Sequence, residues 1–160
     1  MFFYKGKGIV HAEMPSSNKV PAIGFQLWLN LKLSDKYGNA DYQEFKKENI
    51  PTYEEAGIKA KVVVGEYKNT NSIIKTKTPS EFIDFSIEKN KSMKKNVKKG
   101  WNSFIFVFEG GINVQGSFVE ENTVVFFENA MEEIEILMKT EEKKCRFLFI
   151  SGYLFKKGNL

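Results

Sequence analysis

The chain of 160 residues has one cysteine, one histidine and one arginine. The lone Cys145 rules out an intrachain disulfide and a zinc finger, and a single free thiol suits a reducing intracellular compartment. It lies in an apolar run, Cys145-Arg146-Phe147-Leu148-Phe149-Ile150, which reads as a core strand with an inert thiol. The lone histidine, His11, leaves a Ser-His-Asp triad only one possible base, with no serine turn near it, and Gly-x-Ser-x-Gly is absent. No Gly-rich phosphate loop ends in Lys-Ser/Thr. With Arg146 alone, the +4 net charge is almost all lysine, so the planar guanidinium fork that reads bases and grips phosphates is scarce, and nucleic acid is not an expected partner. No apolar run is long enough for a bilayer span, and Met1-Phe2-Phe3-Tyr4-Lys5 is too short for a signal peptide, so no membrane role is expected.

What is present favours strands. Aromatic residues make up 14% of the chain, 15 of them Phe, and they suit a pleated, half-buried surface. Phe25, Leu27, Leu29 and Leu31 alternate with Gln26, Trp28 and Asn30, and Ile58, Ala60, Val62 and Val64 alternate with Lys59 and Lys61. Further strands are expected over 82–87, 123–127, 134–138 and 146–151, with a hairpin joining 103–108 to 112–115 through Glu109-Gly110-Gly111. One short helix is expected over Asp41–Glu48, ending before Pro51. The lysine-rich stretch 88–99 reads as a solvated loop, and Glu120-Glu121 and Glu132-Glu133 as exposed turn carboxylates. Trp28 and Trp101 read as core or rim aromatics. Many short strands with one helix predict an all-β sandwich or barrel.

His11 and Glu13 stand two apart in Gly6-Lys7-Gly8-Ile9-Val10-His11-Ala12-Glu13-Met14-Pro15. On a strand both would point to one face with Cα atoms roughly 6.6 Å apart. Imidazole and carboxylate could then converge on one cation through bonds of about 2.0–2.2 Å, a donor set that suits Fe(II). Two donors alone do not make a tight site, and a bare His-x-Glu pair is most often structural.

The context of that pair resembles the pirin family, and the similarity continues in order. It includes Gly24-Phe25-Gln26-Leu27-Trp28-Leu29-Asn30-Leu31, then Tyr42-Gln43-Glu44 through Ile50-Pro51, then Val62-Val63-Val64-Gly65-Glu66. Thr76-Lys77-Thr78-Pro79, Ile83-Asp84-Phe85, Gly100-Trp101-Asn102-Ser103-Phe104-Ile105 and Phe147-Leu148-Phe149-Ile150-Ser151-Gly152 complete it. The resemblance implies a bicupin: a remnant of an N-terminal metal-binding cupin over 1–33, a linker with a short helix over 34–57, and a C-terminal cupin, a double-stranded β-helix or jelly-roll-like barrel, over 58–160. It implies iron (Fe2+) held by three histidines and one glutamate, of which His11 and Glu13 match one pair. The other pair, from a His-x-His strand, has no counterpart here, so truncation at both ends is the expectation. The implied function is that of a pirin-like protein without intact metal-dependent activity. One alternative is a quercetin 2,3-dioxygenase-like activity, with Glu13 also handling the substrate's hydroxyl proton, should the missing ligands be supplied; only then is a flavonol an expected small-molecule partner. Another is a protein-binding module like a transcriptional coregulator; under every reading the expected location is intracellular, in the cytoplasm or the nucleus.

Overall fold

The computed structural model describes residues 2–4, 8, 10–12, 24–128 and 132–154. The chain forms two compact units, Met1–Glu44 with Phe155–Leu160, and Phe45–Leu154. In the first, β1 (Phe2–Tyr4) pairs antiparallel with β2 (Asp41–Gln43), and a single helical turn, α1, covers Leu33–Lys36.

The second unit is all β apart from a 3-10 turn at Lys47–Asn49. Its strands are β3 (Thr52–Glu55), β4 (Ile58–Val64), β5 (Glu66–Tyr67), β6 (Thr70–Asn71), β7 (Ser80–Ile87) and β8 (Ser92–Val97). They continue with β9 (Trp101–Glu109), β10 (Ile112–Val114), β11 (Ser117–Val119), β12 (Thr123–Phe127), β13 (Ile134–Lys139) and β14 (Cys145–Tyr153). A six-stranded sheet runs β12-β9-β14-β7-β4-β3, and a four-stranded sheet runs β11-β10-β13-β8.

Side chains alternate in and out along most of these strands, while β14 buries Phe147, Leu148 and Phe149 in succession. The six-stranded sheet turns Ala60, Val62, Ile83, Phe85, Ile87, Ile105, Val107, Cys145, Phe147 and Phe149 inward. Met93, Val97, Ile112, Val114, Ile136 and Met138 of the other sheet join them in one buried cluster. The two sheets therefore enclose a filled sandwich core, as period-2 patterning requires. Phe85 stacks on Phe147 at 5.2 Å between centroids, and Tyr67 meets Phe85 edge-on at 5.0 Å. Each fully buried ring of this kind contributes about 1.5–3 kcal/mol by leaving water.

Four expectations are corrected. Residues 24–31 form no strand, and Phe25 and Trp28 are exposed there. The helix over Asp41–Glu48 does not form, because Asp41–Gln43 is drawn into pairing with β1 and only Lys47–Asn49 turns. The stretch 88–99 is not all loop: Ser92–Val97 is β8, with Met93, Lys95 and Val97 buried. Finally, β9 and β10 are not a hairpin. The chain crosses at Gly110-Gly111 from one sheet to the other, and the true hairpin joins β10 to β11 through Gln115-Gly116.

Candidate functional site

The His11/Glu13 pair is the first place to look. His11 lies on irregular backbone and is exposed, as are Val10 and Ala12. Glu13 lies outside the described residues. Among the described residues, no group of three or more histidine, cysteine, aspartate or glutamate side chains is placed to hold a metal.

The second unit gathers charge elsewhere, at one end of its sandwich. Glu81 shares the inward phase of β7 with Ile83, Phe85 and Ile87. Strand register then sets a polar row across three strands: Glu81 opposite Ser151, and Ser151 opposite Ser103. The Ser103 and Ser151 hydroxyls lie 2.6 Å apart and satisfy each other in the interior. The next row is apolar, with Phe149 between Ile83 and Ile105. Gly65 makes room for Glu81: at φ +89°, a Cβ there would come within 2.9 Å of Glu81 Cγ and 3.0 Å of the Ser80 carbonyl oxygen.

Two lysines close over this row. Lys95 occupies the inward phase of β8 in the opposite sheet and donates from Nζ to Glu81 Oε2 at 3.0 Å and to the Asn96 carbonyl at 3.0 Å. The same ammonium stands 4.6 Å from the Phe149 ring centroid. Lys98 Nζ lies 3.3 Å from Glu81 Oε1 and 3.5 Å from Glu66 Oε1, and 4.9 Å from the Trp101 ring centroid. Burying either charge alone would cost several kcal/mol, on the order of the desolvation of an isolated ion, so the Coulomb and hydrogen-bond terms must act together here. Glu81 is the only buried carboxylate among the described residues.

This arrangement does not fit iron. Both carboxylate oxygens of Glu81 are engaged by ammonium groups, and the unit that holds Glu81 contains no histidine, since the single one, His11, belongs to the other unit. A divalent cation beside Glu81 would face two positive charges at contact distance. The cluster instead ties the two sheets together across the sandwich end. Cys145 is also no reactive centre: it is buried, and burial, reinforced by Glu109 and Glu121, pushes its thiol up to about 12. Arg146 donates to Asp84 Oδ2 at 3.0 Å and lies 4.8 Å from the Phe108 ring centroid. Glu120, Glu121, Glu132 and Glu133 are exposed, and Trp101 is half-buried.

Glu81 and Lys95 were absent from the sequence-derived candidates. Their signal is a charged residue in an apolar phase: Lys95 between Met93 and Val97, and Glu81 in step with Ile83 and Phe85. No helix among the described residues is long and apolar enough to cross a membrane.

Residues 82–157 match the model for the pirin C-terminal cupin domain. The chain is 34% identical over 155 residues to pirin-like protein 2 of Arabidopsis thaliana, covering 92% of this chain and 47% of that protein. It is 35% identical to pirin of Rattus norvegicus, covering 92% of this chain and 51% of that one. The chain thus spans about half the length of the curated relatives it matches. Among solved structures, it superposes on a quercetin 2,3-dioxygenase from Acinetobacter baumannii with TM-score 0.71 and 26% identity, covering 79% of this chain and 44% of that one. GK1651 from Geobacillus kaustophilus gives TM-score 0.72 at 23% identity, over 79% and 52%, and supports the fold alone.

Proposed function

This chain belongs to the pirin family, and on that premise we propose that it is a pirin-like protein whose own residues do not make up a working metal centre. The observation that carries the reading is the state of Glu81. The sole buried carboxylate among the described residues is committed to Lys95 and Lys98, while the sole histidine is exposed in the other unit. The Phe45–Leu154 unit then acts as a structural cupin, held closed by a lysine–glutamate bridge. Such a bridge needs no metal, no oxygen and no substrate to form. The test is anaerobic incubation of the purified chain with Fe2+, followed by desalting, metal analysis and a quercetin-decay assay. The reading expects substoichiometric iron and no decay above the rate of free Fe2+; one tightly held iron per chain with quercetin turnover would overturn it.

The likeness to a quercetin 2,3-dioxygenase favours a second reading. In it, His11 and Glu13 would be two ligands of an iron whose remaining donors come from another polypeptide. Bound iron would supply Lewis acidity and a template for a flavonol and oxygen. Glu13 would also take the substrate's hydroxyl proton. Co-expression with the N-terminal half of a longer relative tests this. Iron retention that is lost in His11→Ala supports it, and retention indifferent to that change counts against it.

A further inference from the structure

The edges of the two sheets differ in a way that points to a partner. Four strands close the sheets: β3 and β12 on the larger, β8 and β11 on the smaller. Unpaired edges recruit foreign strands, so proteins blunt them with charge or brevity. β3 carries Glu54 and Glu55, with Glu54 bridged to Lys59 at 2.7 Å. β8 carries Lys94 and Lys95, and β11 is only 3 residues long. β12, Thr123-Val124-Val125-Phe126-Phe127, has no charge, no proline and no glycine.

Its two sides are unequal. Val125 and Phe127 pack against the core. Val124 is 43% and Phe126 75% exposed on the outer side. There Phe126 leans on Phe104 at 5.4 Å, and Val124 stands opposite Phe106. The strand is paired on its β9 side alone among the described strands, so its other row of backbone N–H and C=O groups is available. Its ends are acidic: Glu120 and Glu121 precede it, Glu128 follows it, and all three are exposed.

We propose that β12 is a docking edge for an extended segment of a partner protein, apolar at alternate positions and flanked by lysine or arginine. The backbone ladder would supply affinity and the Val124/Phe126 side the register, as in other cases of strand addition. The carboxylates at the two ends select the flanking charge. They also argue against a second copy of this chain as the occupant. Antiparallel self-pairing centred on Val125 would set Glu128 of each copy beside Asn122 of the other, one residue from Glu121, so like charges would meet at both ends. The proposal does not depend on whether the chain takes up a metal.

The test titrates the full chain with a synthetic peptide of alternating valine and threonine bracketed by lysine pairs. Fluorescence anisotropy reads binding, and amide hydrogen exchange locates it. The expected result is saturable binding that weakens with added salt and newly protects residues 123–127. Phe126→Lys should weaken it by about tenfold or more, with an unchanged Tm showing that the exposed position leaves the fold intact. A glutamate-bracketed peptide should bind more weakly, and Glu120→Lys/Glu128→Lys should reverse that preference. Absence of saturable binding, or binding indifferent to Phe126→Lys, would overturn the proposal. So would sedimentation showing that the chain pairs with itself and that Phe126→Lys abolishes the pairing.

Discussion

Lys95 crosses from the four-stranded sheet to place its ammonium 3.0 Å from Oε2 of Glu81, and both side chains are buried. A pair of this kind fixes how the sheets meet at that end, but it is not by itself a source of great stability. Its Coulomb gain is offset by the desolvation of two ions.

Breaking the pair from one side should be costly and removing it whole should not. Lys95→Met leaves the Glu81 carboxylate buried with only the half-exposed Lys98 beside it, and should cost about 3 kcal/mol. Glu81→Leu combined with Lys95→Met should fall within about 1 kcal/mol of the parent. Urea unfolding with an unchanged m-value reads both, and additive losses in the double variant would contradict this account.

Gly65 and Gly100 separate strain from contact. Both have positive φ, +89° and +72°, so alanine is strained at each, by about 1 kcal/mol. At Gly100 a Cβ meets nothing within 4 Å, whereas at Gly65 it would collide with Glu81 and the Ser80 carbonyl. Gly65→Ala should therefore lose about 2 kcal/mol more than Gly100→Ala, and equal losses would mean that Glu81 is not held where the geometry places it.

Alkaline pH should destabilise the fold through two buried acids. Burial pushes the Cys145 thiol from 9.0 and the Tyr67 phenol from 10.0 each up to about 12. In the unfolded chain both release their protons earlier, so above their ordinary values the folded state binds more protons and stability falls as pH rises. The contribution is complete below pH 9 and is lost progressively toward about 12, at most about 1.4 kcal/mol per pH unit for each group. Between pH 9 and 10 the thiol is the group concerned, so Cys145→Ala should flatten the profile there. A thiol reagent should leave native Cys145 unmodified and label it on unfolding.

Much of the sandwich was legible because its strands are amphipathic in the plainest way. Ala60–Val64 and Phe82–Ile87 bury every second residue, and the run around Phe147 is apolar on both faces, as suits a central strand flanked by β7 and β9. Pairing was less legible. Glu109-Gly110-Gly111 has hairpin chemistry, yet the chain uses it to change sheets, a choice made by partners distant in sequence. Lys95 was hidden because six lysines in 88–99 suggest solvent, and only the inward phase of Met93 and Val97 betrays the strand. The reverse holds at 24–31, where the residues alternate yet the backbone is not a strand.

The central claim is that this chain does not assemble a metal centre from its own residues. The most direct measurement is Fe2+ titration of the purified chain under anaerobic conditions by calorimetry, with His11→Ala as the control. The account predicts no stoichiometric tight binding and no difference between the two proteins. One Fe2+ per chain at micromolar affinity or tighter, lost in His11→Ala, would contradict it.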